Sequence, residues 1–318
     1  MNKICFGCGA KLQFDNSNEE GYIPKEKYDE NVYCQRCFKI IHYGKNIELN
    51  VPKEVNSIIN NVNKNAKYVL FLTDLITLNE DIIKIFKRIK VPKILVISKS
   101  DIIPKDVIFT KVIDSLKKIY NINEDIKVIS SKTGYGINEL INYFYYKKIR
   151  EVYILGETNA GKSSLINKMM DYLDSNLNKT TTSNTSNTTL DFLRLKLSDN
   201  LTVIDSPGFV LFDGESVKNV LINPKIYQMK ENEVLKINDY YFYFSKNAIV
   251  TIYMNKVINA KKYYKELELN NIINVNENTD LIIKNEGFIS IKNAVQIRTN
   301  INMNSIEIRN SIFGGKHE

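Results

Sequence analysis

The sequence contains no long apolar run and no block of charge of one sign. No stretch of it approaches the roughly 20 uncharged apolar residues that cross a bilayer as a helix. Its start, MNKICFGCGAK, also lacks the apolar core of a secretory signal peptide. The net charge of +8 is spread along the chain, whereas a basic tail or stripe would be strong evidence of nucleic-acid binding. We therefore expect a cytoplasmic protein of several domains with no membrane partner.

Cysteine is absent from residue 38 onward, and the four cysteines form two pairs, Cys5 with Cys8 and Cys34 with Cys37. Two intervening residues let both thiolates of a pair reach one ion, and two pairs supply the four-sulfur shell that zinc prefers. A pair of disulfides is disfavoured in a reducing cytosol, and an iron–sulfur cluster is a further alternative. A closed four-cysteine shell indicates a structural zinc module, which either docks on RNA or protein or only stabilises the fold.

A phosphate-binding loop is predicted in the middle of the chain. The apolar segment EVYIL has the composition of a buried strand, and GETNAGKSS and the helical pattern LINKMMDYL follow it. This order of strand, glycine-rich loop and helix meets the GxxxxGK[ST] template in its proper context. Lys162 is expected to contact the terminal phosphates of a nucleotide, and Ser163 is expected to bind Mg²⁺. The residues expected to bind the nucleotide here are Gly156, Thr158, Asn159, Ala160, Gly161, Lys162, Ser163 and Ser164.

A second apolar strand, LTVI, ends in the sequence DSPG. Its carboxylate, Asp205, can hold Mg²⁺ through water, and Gly208 can bring its N–H to the terminal phosphate. The polar stretch 179–189, KTTTSNTSNTT, lies between the two motifs, where a switch segment would offer a threonine to Mg²⁺. Thr189 is the expected ligand, and Thr188 is the close alternative.

The motifs that would recognise a guanine base lie upstream of the phosphate loop. The strand KILVI ends in Ser98-Lys99-Ser100-Asp101, a near match to NKxD, and the strand IKVI ends in Ser130-Ser131-Lys132, a near match to the SAK loop. Asp101 would accept from the guanine N1–H and N2–H₂ groups, for which adenine has no equivalent donors. This order is that of a circularly permuted GTPase domain, which compact domains tolerate because their termini often lie close together.

Apolar strands that alternate with helical segments predict an α/β fold with a mostly parallel sheet and helices on both faces. The expected domains are a zinc module at 1–50, the permuted GTPase domain at 51–212 and a small β-rich domain at 213–318. Tyrosines and lysines interleave in the last of these. This pattern favours a half-buried antiparallel sheet with a solvated face, and an RNA-binding surface is the alternative.

With these motifs in this order, residues 1–212 resemble the YqeH-type circularly permuted GTPases of bacterial ribosome assembly. The segments that carry the resemblance are CFGCG, YCQRCF, SKSD, SSKTG, GETNAGKSS, TTLD and DSPG. The resemblance implies hydrolysis of GTP to GDP and phosphate, and a role in maturation of the small ribosomal subunit. It also implies a C-terminal domain that contacts rRNA or ribosomal proteins.

Three positions of the resemblance bear on catalysis and affinity. The family lacks the usual catalytic glutamine after DxPG, and Phe209 occupies that place here. The resemblance implies that Asn159 coordinates K⁺, which then acts on the phosphates as an arginine finger does; the alternative is that Asn159 only satisfies hydrogen bonds within the loop. Ser98 stands where the family has asparagine, and its shorter side chain is expected to lower nucleotide affinity by about 1 kcal/mol. These departures motivate an alternative function, a scaffold that binds guanine nucleotide without hydrolysing it.

Overall fold

A computed structural model describes most of the chain in two compact units. The described residues are 3, 5, 10–17, 21–28, 33–35, 38, 55–176, 192–209, 211, 223–254, 258–264 and 268–313. The first unit comprises residues 1–73, 86–100 and 124–211, and the second comprises residues 74–85, 101–123 and 212–318. Across these described ranges, no helix is long and apolar enough to cross a membrane.

A six-stranded sheet lies within residues 69–205. Its strands are β1 Val69–Asp74, β2 Lys93–Ser98, β3 Ile126–Val128, β4 Glu151–Gly156, β5 Leu193–Ser198 and β6 Leu201–Asp205. Their order in the sheet is β3-β2-β1-β4-β6-β5. The pairs β1–β4, β2–β3 and β4–β6 are parallel, and β5 runs antiparallel to β6, so the predicted mostly parallel sheet is confirmed.

The helices of the chain are α1 Val55–Asn65, α2 Glu80–Arg88, α3 Phe109–Tyr120, α4 Ile137–Tyr146 and α5 Lys162–Asn176. All six residues of β1 are buried, so both faces of this strand are covered. Leu70 and Leu72 share a core with side chains of α4 and α5, whereas Phe71, which alternates with them, packs against Phe86 of α2. Helices therefore cover both faces, as the sequence predicts.

Ten strands of the second unit form two five-stranded antiparallel sheets. The strands are β7 Lys225–Met229, β8 Val234–Ile237, β9 Tyr240–Phe244, β10 Ala248–Met254, β11 Ala260–Tyr263, β12 Asn271–Val275, β13 Thr279–Ile283, β14 Gly287–Ile291, β15 Val295–Thr299 and β16 Ile306–Asn310. We call the two sheets the β10 sheet, with the order β16-β13-β14-β10-β7, and the β9 sheet, with the order β11-β8-β9-β15-β12. Their facing side chains form one apolar core, which confirms the β-rich C-terminal region.

The apolar segment 289–297 illustrates what the sequence pattern left unresolved. It reads as strand-like throughout, yet it divides into the end of β14 and the start of β15, which belong to different sheets. The residues between them, Lys292 to Ala294, are exposed. The segment therefore turns from one layer of the sandwich to the other.

Candidate nucleotide-binding site

The predicted motifs of the first unit meet at one edge of the parallel sheet. Strand β2 ends at Ser98, β4 ends at Gly156, β6 ends at Asp205, and Ser130 follows β3 closely. Strand β2 is parallel to β3, and β4 is parallel to β6. The end of β2 also contacts the loop that follows β4 through Ser98, so these carboxyl ends lie along a common edge. Open α/β sheets bind ligands in the crevice outside these ends. Strand β1 separates the phosphate-loop strand from the base-motif strands.

The phosphate loop has the tight turn that its sequence predicts. A Cβ on Gly156 would lie 2.3 Å from the carbonyl oxygen of Leu72, so only glycine fits beside β1. Asn159 and Gly161 both have positive φ, of 67° and 95°, a backbone that asparagine and glycine tolerate best. Lys162 is buried, and its Nζ donates to the carbonyl oxygens of Gly156 and of Glu157 at 2.9 and 3.1 Å.

Helix α5 begins at Lys162, so the next two serines lie in its first turn. Ser163 is buried and Ser164 is exposed, while Thr158 is half-buried and Ala160 buried. The N-terminus of a helix of this length presents unpaired backbone N–H groups and the positive end of its dipole, which favours phosphate oxygens.

The DSPG segment lies directly against the phosphate loop. The N–H of Thr158 donates to the carbonyl oxygen of Phe209 at 2.9 Å, and Glu157 pairs with Phe209 as an isolated parallel bridge. A Cβ on Gly208 would lie 3.0 Å from Thr158 Oγ1 and 3.1 Å from Lys162 Nζ. Gly208 thus lies close to the lysine that is expected to contact the terminal phosphates. Asp205, at the end of β6, is buried.

The side chain of Phe209 points into the core rather than toward solvent. Only 1% of it is exposed, and its ring centroid lies 6.0 Å from that of Phe71 in β1. The Phe209 side chain therefore packs in the core, whereas its backbone carbonyl accepts a hydrogen bond from the phosphate loop. The sequence predicts that this residue cannot orient water, but its pairing with Thr158 was missed because backbone pairing leaves no residue-type signal.

Ser98 braces the phosphate loop from the neighbouring motif. Its buried Oγ lies 2.7 Å from the carbonyl oxygen of Ala160 and 3.1 Å from that of Thr73. The serine hydroxyl was expected to reach less far than asparagine, yet it contacts the loop directly. Since both contacts are to carbonyl oxygens, the hydroxyl donates to the protein itself.

The two base motifs are linked to each other. The N–H of Ser100 donates to the carbonyl oxygen of Ile129 at 3.1 Å, and Lys99 adopts a positive φ of 56°. In the second motif, the Oγ of Ser130 accepts from the N–H of Thr133 at 3.1 Å and so closes the turn. Ser131 is half-buried and Lys132 is exposed. Asp101 is the carboxylate that is expected to bind the base. It belongs to the second unit, lies in the 3₁₀ turn Ser100–Ile102 and is half-buried.

The part of the chain that holds these motifs matches known GTPase families. A family profile described as "RsgA GTPase" matches residues 54–215, about half of the chain. The chain belongs to the RsgA GTPase family. A second profile, described as "50S ribosome-binding GTPase", matches residues 151–285. The base motifs of this RsgA-family chain precede its phosphate loop, so the circularly permuted order that the sequence predicts is confirmed.

Relatives of this RsgA-family chain match it over only part of their length. "Uncharacterized protein YqeH" of Bacillus subtilis (strain 168) is 30% identical over 216 residues, which cover 65% of this chain and 59% of that protein. "Nitric oxide-associated protein 1" of Mus musculus is 26% identical over 223 residues, covering 52% of this chain and 32% of that protein. The chain therefore spans less than two thirds of these relatives. The crystal structure of YjeQ from Thermotoga maritima shares 25% identity and covers 45% of this chain and 48% of its own, with a TM-score of 0.32.

The cysteine region of this RsgA-family chain is described in part. Cys5 and Cys34 are buried, and the N–H of Cys34 donates to Cys5 Sγ at 3.1 Å. One cysteine of the first pair therefore lies beside one cysteine of the second pair. Cys8, Cys37 and Thr189 lie outside the described residues, and among the described ones no group of three or more His, Cys, Asp or Glu side chains could hold a metal ion.

Proposed function

We propose that this chain binds GTP with Mg²⁺, hydrolyses it to GDP and phosphate, and acts as a nucleotide-dependent assembly factor for the small ribosomal subunit. The observation that carries the proposal is the contact of the DSPG segment with the phosphate loop. Gly208 lies beside Lys162 and Thr158, as a sensor of the terminal phosphate would. Membership of the RsgA GTPase family supports the same reaction.

The proposed roles follow from the chemistry of each group. Lys162 would exchange its two loop carbonyls for phosphate oxygens, and Gly208 would donate its N–H to the terminal phosphate. Ser163, Asp205 and Thr189 would hold Mg²⁺, which neutralises the charge that develops on the phosphates. The loop backbone from Gly156 to Ser164, with Asn159 at its left-handed position, would supply the remaining donors to the nucleotide.

Base recognition would be divided between two motifs. Asp101 would read the guanine N1–H and N2–H₂ groups, with Lys99, Ser130, Ser131 and Lys132 lining the base. Because Ser98 already donates to protein carbonyls, it would brace the loop and leave the base to Asp101. We expect guanine specificity to survive at somewhat reduced affinity, by about 1 kcal/mol for one missing hydrogen bond.

A zinc ion held by Cys5, Cys8, Cys34 and Cys37 would complete the N-terminal module. The contact between Cys34 and Cys5 supports it, since a backbone N–H that donates to sulfur stabilises the thiolate form, which binds metal. The buried setting suits a closed structural site. Elemental analysis of the purified protein should find one zinc per chain, and iron instead of zinc would replace this assignment.

Potassium would assist hydrolysis at Asn159. This residue has a left-handed backbone and an exposed side chain. Because the Phe209 ring points into the core, position 209 supplies no group that could orient the attacking water. A cation beside the phosphates would then take the role that an arginine finger has elsewhere.

Competition binding of GDP, GTP, ADP and xanthosine diphosphate tests the nucleotide assignment. The parent protein should prefer GDP over ADP by at least about tenfold, or 1.4 kcal/mol. Asp101→Asn should lose GDP and gain xanthosine diphosphate, because the amide donates to the xanthine C2 oxygen where the carboxylate accepted from N2–H₂. Equal binding of GDP and ADP, or an Asp101→Asn protein with unchanged preference, would refute guanine recognition by this motif.

Cosedimentation with isolated ribosomal subunits tests the partner assignment. Because the profile matched at 151–285 is described as large-subunit binding, both subunits belong in the experiment. We expect the GTP-analogue form to bind the small subunit preferentially. Binding to the large subunit alone would overturn this part of the proposal, and nucleotide binding without turnover would favour the scaffold.

A further inference from the structure

The hydroxyl group of Thr158 lies where the phosphate loop meets the DSPG segment. A Cβ added at Gly208 would lie 3.0 Å from Thr158 Oγ1, 3.2 Å from Thr158 Cα and 3.1 Å from Lys162 Nζ. The hydroxyl group of Thr158 and the ammonium group of Lys162 therefore lie on the same side of Gly208. Under the proposed function, the terminal phosphate of GTP would bind on that side.

Backbone contacts hold Thr158 against the DSPG segment. The N–H of Thr158 donates to the carbonyl oxygen of Phe209 at 2.9 Å, and the preceding residue, Glu157, pairs with Phe209 as a parallel bridge. The buried ring of Phe209 packs on Phe71 of β1 and so fixes the other side of this contact. A group that orients a reactant needs such a fixed position, because a misplacement of about 1 Å can cost roughly 100-fold in rate.

The Thr158 hydroxyl group is available to a ligand. The residue is half-buried, and its Oγ1 makes no hydrogen bond to any residue that the structure describes. Two neighbouring hydroxyl groups are occupied instead. Ser206 Oγ donates to the carbonyl oxygen of Pro207 at 3.2 Å, and Ser98 Oγ lies 2.7 Å from that of Ala160. Both the donor and the acceptors of Thr158 therefore remain for substrate and water.

We propose that Thr158 orients the water that attacks GTP, and is thus a catalytic residue of the proposed reaction. Its Oγ1 accepts a hydrogen bond from the water and donates one to an oxygen of the terminal phosphate, which a hydroxyl group can do at once. Because the Phe209 ring packs in the core, the residue after DSPG leaves this task open. The inference rests on the proposed GTPase function and names a residue that carries it out.

Thr158 takes part in the reaction without losing its own proton. The water oxygen forms a bond to the terminal phosphorus while the bond from that phosphorus to the oxygen of the second phosphate breaks. GDP leaves with this oxygen, and both protons of the water end on the released phosphate, as H₂PO₄⁻. The hydroxyl group acts by holding the water in place. Lys162 and the N–H of Gly208 stabilise the charge on the phosphate oxygens.

Single-turnover hydrolysis of GTP by the intact chain tests the proposal. Thr158→Val keeps the shape of the side chain but lacks the hydroxyl group, so it should slow hydrolysis by about 100-fold. Thr158→Ser keeps the hydroxyl group and should lose much less. Thr202→Val is the matched control and should hydrolyse GTP like the parent. Thr202 is also half-buried, but it pairs with Glu151 near the start of β6, at the end opposite Asp205.

Two binding measurements separate orientation of water from binding of phosphate. The affinity of Thr158→Val for a non-hydrolysable GTP analogue should fall less than about tenfold, the effect of one hydrogen bond. GDP with aluminium fluoride mimics the phosphoryl group in transfer with the attacking water beside it. Thr158→Val should therefore lose more affinity for this complex than for the GTP analogue, since the lost contact is made mainly in the transition state.

Three results would overturn the proposal while the proposed GTPase function stands. One is hydrolysis by Thr158→Val at the rate of the parent, and a second is a Thr158→Ser protein as slow as Thr158→Val. The third is an equal loss of turnover and of affinity for the GTP analogue, which would make Thr158 a phosphate ligand. A parent chain that binds GTP without hydrolysing it would refute the proposed hydrolysis itself, and the role of Thr158 with it.

Discussion

At the scale of single residues, Ser98 joins two motifs that lie far apart in the sequence. Its one hydroxyl proton faces two carbonyl oxygens, those of Ala160 and Thr73. The shorter contact, to Ala160, ties the base motif to the phosphate loop. This link requires only a donor, which explains how serine replaces the amide of the family pattern without loosening the loop.

Removing this donor should destabilise the first unit. Ser98→Ala leaves two buried carbonyl oxygens without the hydroxyl, so we expect the free energy of unfolding to fall by about 1–3 kcal/mol. Urea denaturation measures the change. Ser57→Ala, an exposed serine in α1, should stay within about 0.5 kcal/mol of the parent. Equal stability of Ser98→Ala and the parent would show that the brace contributes nothing.

Potassium dependence is a second prediction at this scale. Hydrolysis of GTP should be faster in KCl than in NaCl, because K⁺ held by Asn159 stabilises charge on the phosphates. Asn159→Gly should remove the difference while it keeps the positive φ of the loop, which an alanine would strain. Phosphate release in the two salts measures the effect, and equal rates for the parent protein would contradict it.

At the scale of elements, the segment after β6 and the phosphate loop act as one structure. The backbone of Phe209 pairs with Glu157 and Thr158, while its ring packs on Phe71 of β1. If a bound terminal phosphate changes the loop, these backbone contacts would pass the change to the segment that follows β6. The ring fixes that segment to the sheet.

A glutamine introduced at position 209 should not take up the catalytic role that glutamine has after DxPG in other GTPases. Phe209→Gln buries an amide where a ring filled the core, so we expect a loss of about 3–5 kcal/mol in stability and no gain in GTP turnover. Phe209→Leu, which keeps an apolar side chain, should lose less stability. Thermal unfolding and phosphate release measure both effects. A faster Phe209→Gln enzyme would show that the side chain can reach the site.

The sequence predicts some of these elements and misses others for physical reasons. The phosphate loop follows from its glycines and lysine, since each residue type has a local role. The brace of Ser98 could not be predicted, because its acceptors lie 25 and 62 residues away. Helix α1, VNSIINNVNKN, was missed since its many asparagines disfavour helices, and burial of Ile58, Ile59 and Val62 stabilises it instead. Strands such as β7 were missed because only Met229 of its five residues is buried.

At the scale of the whole molecule, the second unit joins segments from three parts of the chain. Arg309 of β16 is buried, and its Nη1 donates to the carbonyl oxygen of Leu78 at 2.9 Å and to the Tyr120 hydroxyl at 3.1 Å. Its Nε lies 3.3 Å from Asp280 Oδ2. Burial raises the pKa of Tyr120 to about 12, so its hydroxyl stays protonated. This guanidinium thus bonds the C-terminal strands to residues 74–85 and 101–123, which Glu307 and Lys284 also contact.

Removing this guanidinium should destabilise the second unit strongly. Arg309→Met leaves the buried Asp280 carboxylate without its cation, with the N–H of Ile312 as a remaining donor, so we expect the free energy of unfolding to fall by about 3–5 kcal/mol. Burial raises the pKa of Asp280, so this carboxyl group becomes neutral more readily as the pH falls. A neutral carboxyl group tolerates the missing cation better, so the loss of stability should be smaller near pH 5 than near pH 8. The double variant Arg309→Met, Asp280→Asn should recover part of the lost stability. Urea midpoints measure these changes, and a double variant no more stable than Arg309→Met would contradict the account.

Single-turnover release of phosphate from GTP and from ATP, in Mg²⁺ and KCl, shows whether the permuted domain is a guanine-specific enzyme. We expect turnover of GTP but not of ATP. Lys162→Ala, which removes the charge beside Gly208, should slow turnover by about 100-fold or more. Equal turnover of ATP and GTP would contradict guanine specificity. The absence of GTP turnover by a protein that binds GTP would show that the permuted domain serves as a scaffold rather than an enzyme.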